Sequence, residues 1–339
     1  MPVKSSSFKR KDFRTTIEIE PMVAPATYHD RIMLIGSCFT ENIGNRLKSM
    51  KFTVDLNPFG IVYNPLSMAG QLNYLLKPTA FQTDDLVFHQ ELWYSWIHHG
   101  RFSHPEADKL LQVIDNQIME SSRFLEQSGL LMLTFGTPEA YYLKSNNRLV
   151  SNCHQVNADQ FYTRKPGVNE LMDLWVPLID SLLSRNRNLR ICLTISPVRY
   201  IRNGPTGNQV NKSILFLFID ALLKTYDDLF YFPAYELFMD DLRDYRFYDE
   251  DMMHPGANGI EYVWSNFVKA CIKPSVYPVM EEVDSVIKAA SHRPGGFVTN
   301  AHRQFISVQM DRISKLQNKH PFLDFSQETI SLQKQLISE

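Results

Sequence analysis

Four residues carry the chemistry this chain advertises: Ser37 and Cys38, side by side in "RIMLIGSCFTENIG", and Asp251 and His254 in "YDEDMMHPGANG". A serine hydroxyl attacks an acyl carbon only when a base removes its proton, and the base works best when a third group orients it. Asp251 and His254 are three residues apart, so a turn places them side by side. Asp251 then holds one imidazole nitrogen while the other faces the serine. Asp249 and Glu250, next to Asp251, are alternative orienters. Cys38 competes with Ser37, because a thiol beside a helix start tends toward thiolate. Ser37 also suits the cap of the helix that follows.

The elements must bring these residues together. "RIMLIGS" reads as a short buried strand and "TENIGNRLKSM" as a helix with Thr40 as a cap near its start. "KFTVDLNPFGIVYNP" gives a strand and then a turn, and "SMAGQLNYLL" a helix. "GLLMLTFGTPEAYYL", "LRICLTISPVRY" and "LFYFPAYEL" read as further strands. "LMDLWVPLIDSLLSR" and "NKSILFLFIDALLKTY" read as helices between them. Uniformly apolar strands alternating with helices predict a parallel sheet covered on both faces. Chemistry in such sheets sits at the carboxyl ends of strands. Ser37, Gly60, Gly136 and Pro197 all mark such ends.

Residues 81 to 105, "FQTDDLVFHQELWYSWIHHGRFSHP", interrupt the alternation as an insertion of short strands and loops. Trp93, Trp96, His98, His99, Arg101 and His104 are candidates to line a pocket there, since tryptophans stack on sugars. Alternate residues of a strand covering the core give the competing account. Adjacent histidines on a strand point to opposite faces, so no metal site is expected. Arg199, just past a strand end, is placed to hold an anionic substrate group, or else to make a surface ion pair.

With 339 residues, the chain can bury a large core. A formal charge of −2 and the lack of a long basic run argue against nucleic acid as a partner. The four cysteines are too far apart for a zinc knuckle, and Cys38 and Cys192 read as small buried apolar residues. The polar, basic N-terminus lacks the apolar core of a secretory signal, and no run is long enough to span a bilayer, so cytoplasmic residence is expected. The tail from about Pro274 is charged and helical in pattern, with "HRPGG" as a break at 292 to 296. The expected division is therefore 1–273 as the main domain and 274–339 as a helical extension packed on it.

Taken together, "IGSCFTENIG", "NPFGIVYNP", "TFGTPEAY", "SNCH", "TISPVRY" and "DYRFYDEDMMHP" resemble the GSCFA family, grouped with the SGNH or GDSL-like hydrolases. The resemblance runs from about residue 13 to about 325. Thr40 stands where the family name has alanine. The resemblance implies a flavodoxin-like three-layer α/β/α sandwich with a parallel sheet. It implies Ser37 as nucleophile, His254 as base and Asp251 as orienter. It further implies an oxyanion hole from the N–H groups of Ser37 and Gly60. The superfamily's third block is Gly-x-Asn, but here Thr137 and Pro138 follow Gly136. Asn152, His154 and Asn64 stand as replacement donors, with Asn152 the first choice. The expected activity is hydrolysis of an ester, an O-acyl or O-acetyl group on a carbohydrate or similar polar carrier. No metal or organic cofactor is required. An O-acyltransferase would use the same residues, and a carbohydrate-binding module that has lost turnover is the rival from another class.

Overall fold

The computed structural model describes residues 15–292 and 298–336. In chain order, β1 (Arg31–Gly36) leads into α1 (Cys38–Ser49), β2 (Thr53–Leu56) and α2 (Pro65–Leu76). A hairpin of β3 (Leu86–His89) and β4 (Leu92–Ser95) precedes α3 (Ala107–Glu126) and β5 (Ser128–Phe135). Next come β6 (Ala140–Leu143), β7 (Leu149–Val150), β8 (Phe161–Arg164) and α4 (Val168–Arg185). They are followed by β9 (Arg190–Ile195), α5 (Gly204–Thr225) and β10 (Phe230–Phe232). A single turn, α6 (Ala234–Glu236), widens into a π-type coil over Leu237–Leu242. Then α7 (Ala257–Cys271), α8 (Tyr277–Ser291), α9 (Asn300–Lys319) and α10 (Ser326–Lys334) follow.

The central sheet has five parallel strands in the order β10-β9-β5-β1-β2. Read from the other edge, that is the doubly wound order 2-1-3-4-5 of a flavodoxin-like sheet. The strand pleat decides which residue goes where, because neighbours along a strand face opposite ways. Ile32, Leu34, Leu130, Met132 and Cys192 enter one core with α1, α7, α8, α9 and α10. Met33, Ile35, Leu131, Leu133 and Ile191 enter the other with α2, α3, α4 and α5. The result is a three-layer α/β/α sandwich, in which burying each large apolar side chain is worth about 1.5–3 kcal/mol.

The helices follow from local chemistry. Pro65 opens α2 with its missing N–H at a position that needs none, and the Asn64 side chain accepts from Ser67 N–H at 2.8 Å. Pro177 lies inside α4 without ending it. There the apolar face of Leu171, Trp175, Leu178, Ile179 and Leu182 is buried, and packing outweighs the lost bond. Thr40 is not the cap of α1; it is a buried residue inside the helix, and Ser37 caps it.

Two small sheets sit outside the sandwich. The β3–β4 hairpin falls within the expected insertion. The antiparallel sheet β7-β6-β8 was not legible in the sequence. The helical tail packs through Val283, Val286, Ile306, Ile313, Leu316 and Leu332 into the core that α1 and α7 share. Of the "HRPGG" break, His292 ends α8 and residues 293–296 lie outside the described residues. No helix among the described residues is long and apolar enough to cross a membrane.

Candidate active site

β1, β5 and β9 are neighbours in the sheet, so their carboxyl ends bring Ser37, Gly136 and Ser196 together. Gly36 makes the turn into Ser37 feasible. A Cβ there would lie 2.4 Å from Thr40 Oγ1 and 2.8 Å from the backbone oxygen of Thr134. Its N–H donates to Asn57 Oδ1 at 2.8 Å, which fixes the strand end. Ser37 is extended, and its Oγ accepts from Phe39 N–H at 3.3 Å as the cap of α1. The hydroxyl therefore sits where the first N–H groups of α1 converge, a place that favours developing negative charge. Ser37 is only 2% exposed, and its Oγ donates to Ser196 Oγ at 3.1 Å.

Beneath this floor lies Lys212 of α5. Its Nζ donates to Gly136 O at 2.9 Å and to Ser196 O at 2.8 Å, tying the ends of β5 and β9 together. Burial pushes the ammonium down to about 7.

The loop before α7 carries the second half. Asp251 Oδ1 accepts the N–H groups of Met253 and His254, each at 2.9 Å. Oδ2 takes His254 Nδ1 at 2.5 Å. A carboxylate only accepts, so Nδ1 is the protonated nitrogen and Nε2 is left with a lone pair. The bond from His254 N–H, then that from the imidazole, holds Asp251 well below the usual carboxylate range, at about 2. Asp249 does not take this place; its carboxylate accepts Glu250 N–H. Imidazole and carboxylate are about half exposed, at 46% and 40%. Both Ser37 and His254 line one cavity of about 520 Å³, with no hydrogen bond between them.

Of the candidate oxyanion donors, Asn152 lines that cavity. Its Oδ1 accepts His154 N–H at 2.9 Å, and its own N–H donates to Trp96 O at 3.3 Å. This pins the amide and leaves Nδ2 as a donor at the wall. Asn64 also lines the cavity while capping α2. Gly60 is a correction. Its N–H closes a turn onto Asn57 O at 2.7 Å, its Cα faces His99, and it does not reach the cavity. The chain has looped four residues beyond the end of β2 by then. The N–H groups of Gly136 and Thr137 are likewise spent on Tyr63 O.

The insertion does not line the cavity either. Trp93 packs on Phe88, and Trp96 is buried against Phe161 and His154. His98 is fully buried against Phe59, and burial pushes it down to about 3, so it is neutral at ordinary pH. His154 stacks on Tyr94 and donates from Nε2 to Ser95 O at 2.8 Å. These residues support the wall from behind: Trp96 O receives both Ser151 N–H and Asn152 N–H. Arg199 does face the cavity.

Cys38 also lines the cavity, half-buried, rather than packing away. Burial pushes its thiol up, against the pull of two backbone N–H groups, so it is a protonated and weak nucleophile. Cys192 is buried as expected. Among the described residues, no group of three or more His, Cys, Asp or Glu is placed to hold a metal ion.

Sequence reasoning missed Ser196, Tyr63, Tyr141, Tyr200 and Arg202 in the lining. Ser196 directly follows the end of β9, so the strand-end rule was signal enough to find it. Tyr141 comes from the unforeseen β6, and nothing local marks it.

Residues 31–267 match the model of the GSCFA family, and residues 283–338 that of the GSCFA domain protein, C-terminal domain. No curated protein matches the chain. Among solved structures, the chain is similar to a carbohydrate esterase family 3 protein from Talaromyces cellulolyticus. Identity is 8%, the TM-score is 0.34, and the match covers 75% of this chain and 99% of that one. A family 3 carbohydrate esterase from Clostridium thermocellum gives 8% identity and a TM-score of 0.35, covering 74% and 97%. An acetyl xylan esterase from Butyrivibrio proteoclasticus gives 11% and 0.35, covering 75% and 65%. Likenesses of that strength decide neither fold nor substrate.

Proposed function

We propose that the protein is a serine hydrolase of esters, starting from the premise that the chain belongs to the GSCFA family. One observation carries the reading. Ser37, at the carboxyl end of a central parallel strand, and His254, oriented by Asp251, line the same cavity. In this reading Ser37 turns its hydroxyl from Ser196 to His254 Nε2 and attacks the acyl carbon. His254 takes the proton and then gives it to the leaving alcohol. Asp251 keeps Nδ1 protonated and steadies the imidazolium. The N–H of Ser37 at the start of α1 and the Nδ2 of Asn152 face the oxyanion. Water repeats the sequence on the acyl-enzyme. The family's grouping with the SGNH hydrolases supports the same assignment. The phenol rings and polar donors of the lining suit an O-acyl or O-acetyl group on a carbohydrate or similar polar carrier. An acyltransferase would substitute an alcohol for water at the last step.

A second reading has its own observation. Ser37 is bonded to Ser196 rather than to His254, and Thr137 and Pro138 occupy the place of the superfamily's third-block asparagine. Both features suit a sugar-binding module without turnover. Turnover of p-nitrophenyl acetate and butyrate, with fluorophosphonate labelling, separates the two. The esterase reading expects both signals to vanish in Ser37→Ala and His254→Ala and to persist in Cys38→Ala. A wild type that neither turns over nor labels, yet binds a saccharide, sinks it. Labelling that survives Ser37→Ala moves the nucleophile to Cys38.

A further inference from the structure

One wall of the cavity is more specific than an esterase for neutral sugars requires. Arg202 donates from Nη1 to the Tyr141 hydroxyl, lies over the Tyr141 ring at 5.5 Å, and also hydrogen-bonds Tyr200. The two phenols are in contact, Tyr141 Oη to Tyr200 Oη at 3.3 Å. A guanidinium has five donors and these contacts use few of them. The two phenols share one proton in their contact, so the other hydroxyl keeps a proton to give. Burial, and then the bond to Tyr200, push Tyr141 further up from its usual value, so it remains a neutral donor. Arg199, three residues earlier on the same segment, also lines the cavity, and its partners are the neutral Met239 Sδ and Tyr248 hydroxyl. Neither arginine makes an ion pair among the described residues. Glu139, the one acid in the lining, is engaged by Asn203 Nδ2 at 2.7 Å. A cavity wall with two guanidiniums outside any close ion pair, against the single carboxylate of Glu139, and with a spare phenol proton suits an oxyanion.

We propose that Arg202, Tyr141 and Tyr200, with Arg199 in the same lining, form an anion subsite, and that the polar carrier of the ester bears a carboxylate or a phosphate. The subsite is read from its own donors; its place in catalysis rests on the esterase reading. Such a charge beside the scissile ester anchors the carrier while Ser37 attacks the acyl group.

The test compares acetate release from monoacetylated glucuronic acid, monoacetylated glucose 6-phosphate and monoacetylated glucose. Wild type should favour at least one charged substrate over the neutral one by about tenfold in kcat/KM, the size of one charge-assisted hydrogen bond. Whichever charged sugar is preferred identifies the anion. In Arg202→Gln that ratio should fall toward one, and Arg202→Lys should keep part of it, with circular dichroism melts confirming that both variants fold. Equal kcat/KM on all three sugars overturns the proposal and leaves the esterase reading standing. If none is hydrolysed and no fluorophosphonate label appears, the esterase reading has failed. Calorimetry on Ser37→Ala with glucuronate, glucose 6-phosphate and glucose then decides the subsite alone. Anion-selective binding that Arg202→Gln removes upholds it, and equal or absent binding overturns it.

Discussion

Ser37 Oγ donates its proton to Ser196 Oγ at 3.1 Å, from the end of β1 to the end of β9. The hydroxyl is thus engaged by Ser196 and not by the imidazole that lines the same cavity. Ser196→Ala removes that acceptor and leaves His254 as the nearest alternative in this reading. Fluorophosphonate labelling of the variant should be at least as fast as in wild type, with a stability loss of about 1 kcal/mol. Labelling slowed tenfold or more would mean that Ser196 helps activate Ser37.

Asp251→Asn would exchange an acceptor for an amide and so favour the wrong tautomer of His254. The expected loss in kcat is about a thousandfold or more, with the fold intact. Because the folded-state pKa of Asp251 is depressed to about 2, its contribution to stability is complete above the usual carboxylate range and drains as pH falls toward 2. Thermal melts of wild type and variant from pH 2 to 6 should converge at the acid end. A gap between them that stays constant down to pH 2 would contradict this.

Lys212 gives a pH signature of the same sign in a higher window. Its folded-state pKa is lowered to about 7 by burial, so the unfolded chain binds the extra proton between about 7 and the ordinary lysine value. Stability of the wild type should rise with pH across that window, by up to about 1.4 kcal/mol per pH unit. In Lys212→Met this slope should vanish, while overall stability falls because Gly136 O and Ser196 O lose their donor. Denaturant titrations at several pH values read both effects. Parallel pH profiles for the two proteins would refute the account.

Gly36→Ala should be among the most damaging single-methyl additions in the chain. The new carbon would meet the Thr134 backbone, which cannot step aside. A loss of about 2 kcal/mol or more is expected from this overpacking, together with loss of labelling as Ser37 shifts. Gly70→Ala, where nothing lies within 4 Å, is the control and should fold normally.

The legible parts of the molecule were those set by short-range pattern. The apolar run of β1 and the change to helical spacing after Ser37 located the strand-to-helix turn to the residue. The three-residue step from Asp251 to His254 sufficed to pair them, and the pairing is present. Gly60 was misplaced because a glycine in a turn shows that the chain bends, not which way its N–H points. The tryptophans of the insertion were left open between pocket and core because an aromatic residue on a short hairpin has the same spacing whether it faces a ligand or a neighbour; the structure gives the core account. Arg202, Tyr141 and Tyr200 escaped notice because their meeting depends on β6 reaching across to the segment after β9, some 60 positions away. No local periodicity records such a contact.

Ser37 stands at the head of α1 and His254 just ahead of α7, and those two helices are joined by the ion pair of Arg46 with Glu261. The tail grips the same pair: Lys51, just beyond α1, is held by both oxygens of Glu328 in α10 at 2.8 Å, and the three tail helices share the apolar core of α1 and α7. The two halves of the site, more than two hundred residues apart in sequence, thus hang from one girder. Anything that pries the girder loose, a protease nick or a docking partner, would move Ser37 and His254 relative to each other without touching the cavity. The last sixty residues are in that sense the alignment gauge of the site.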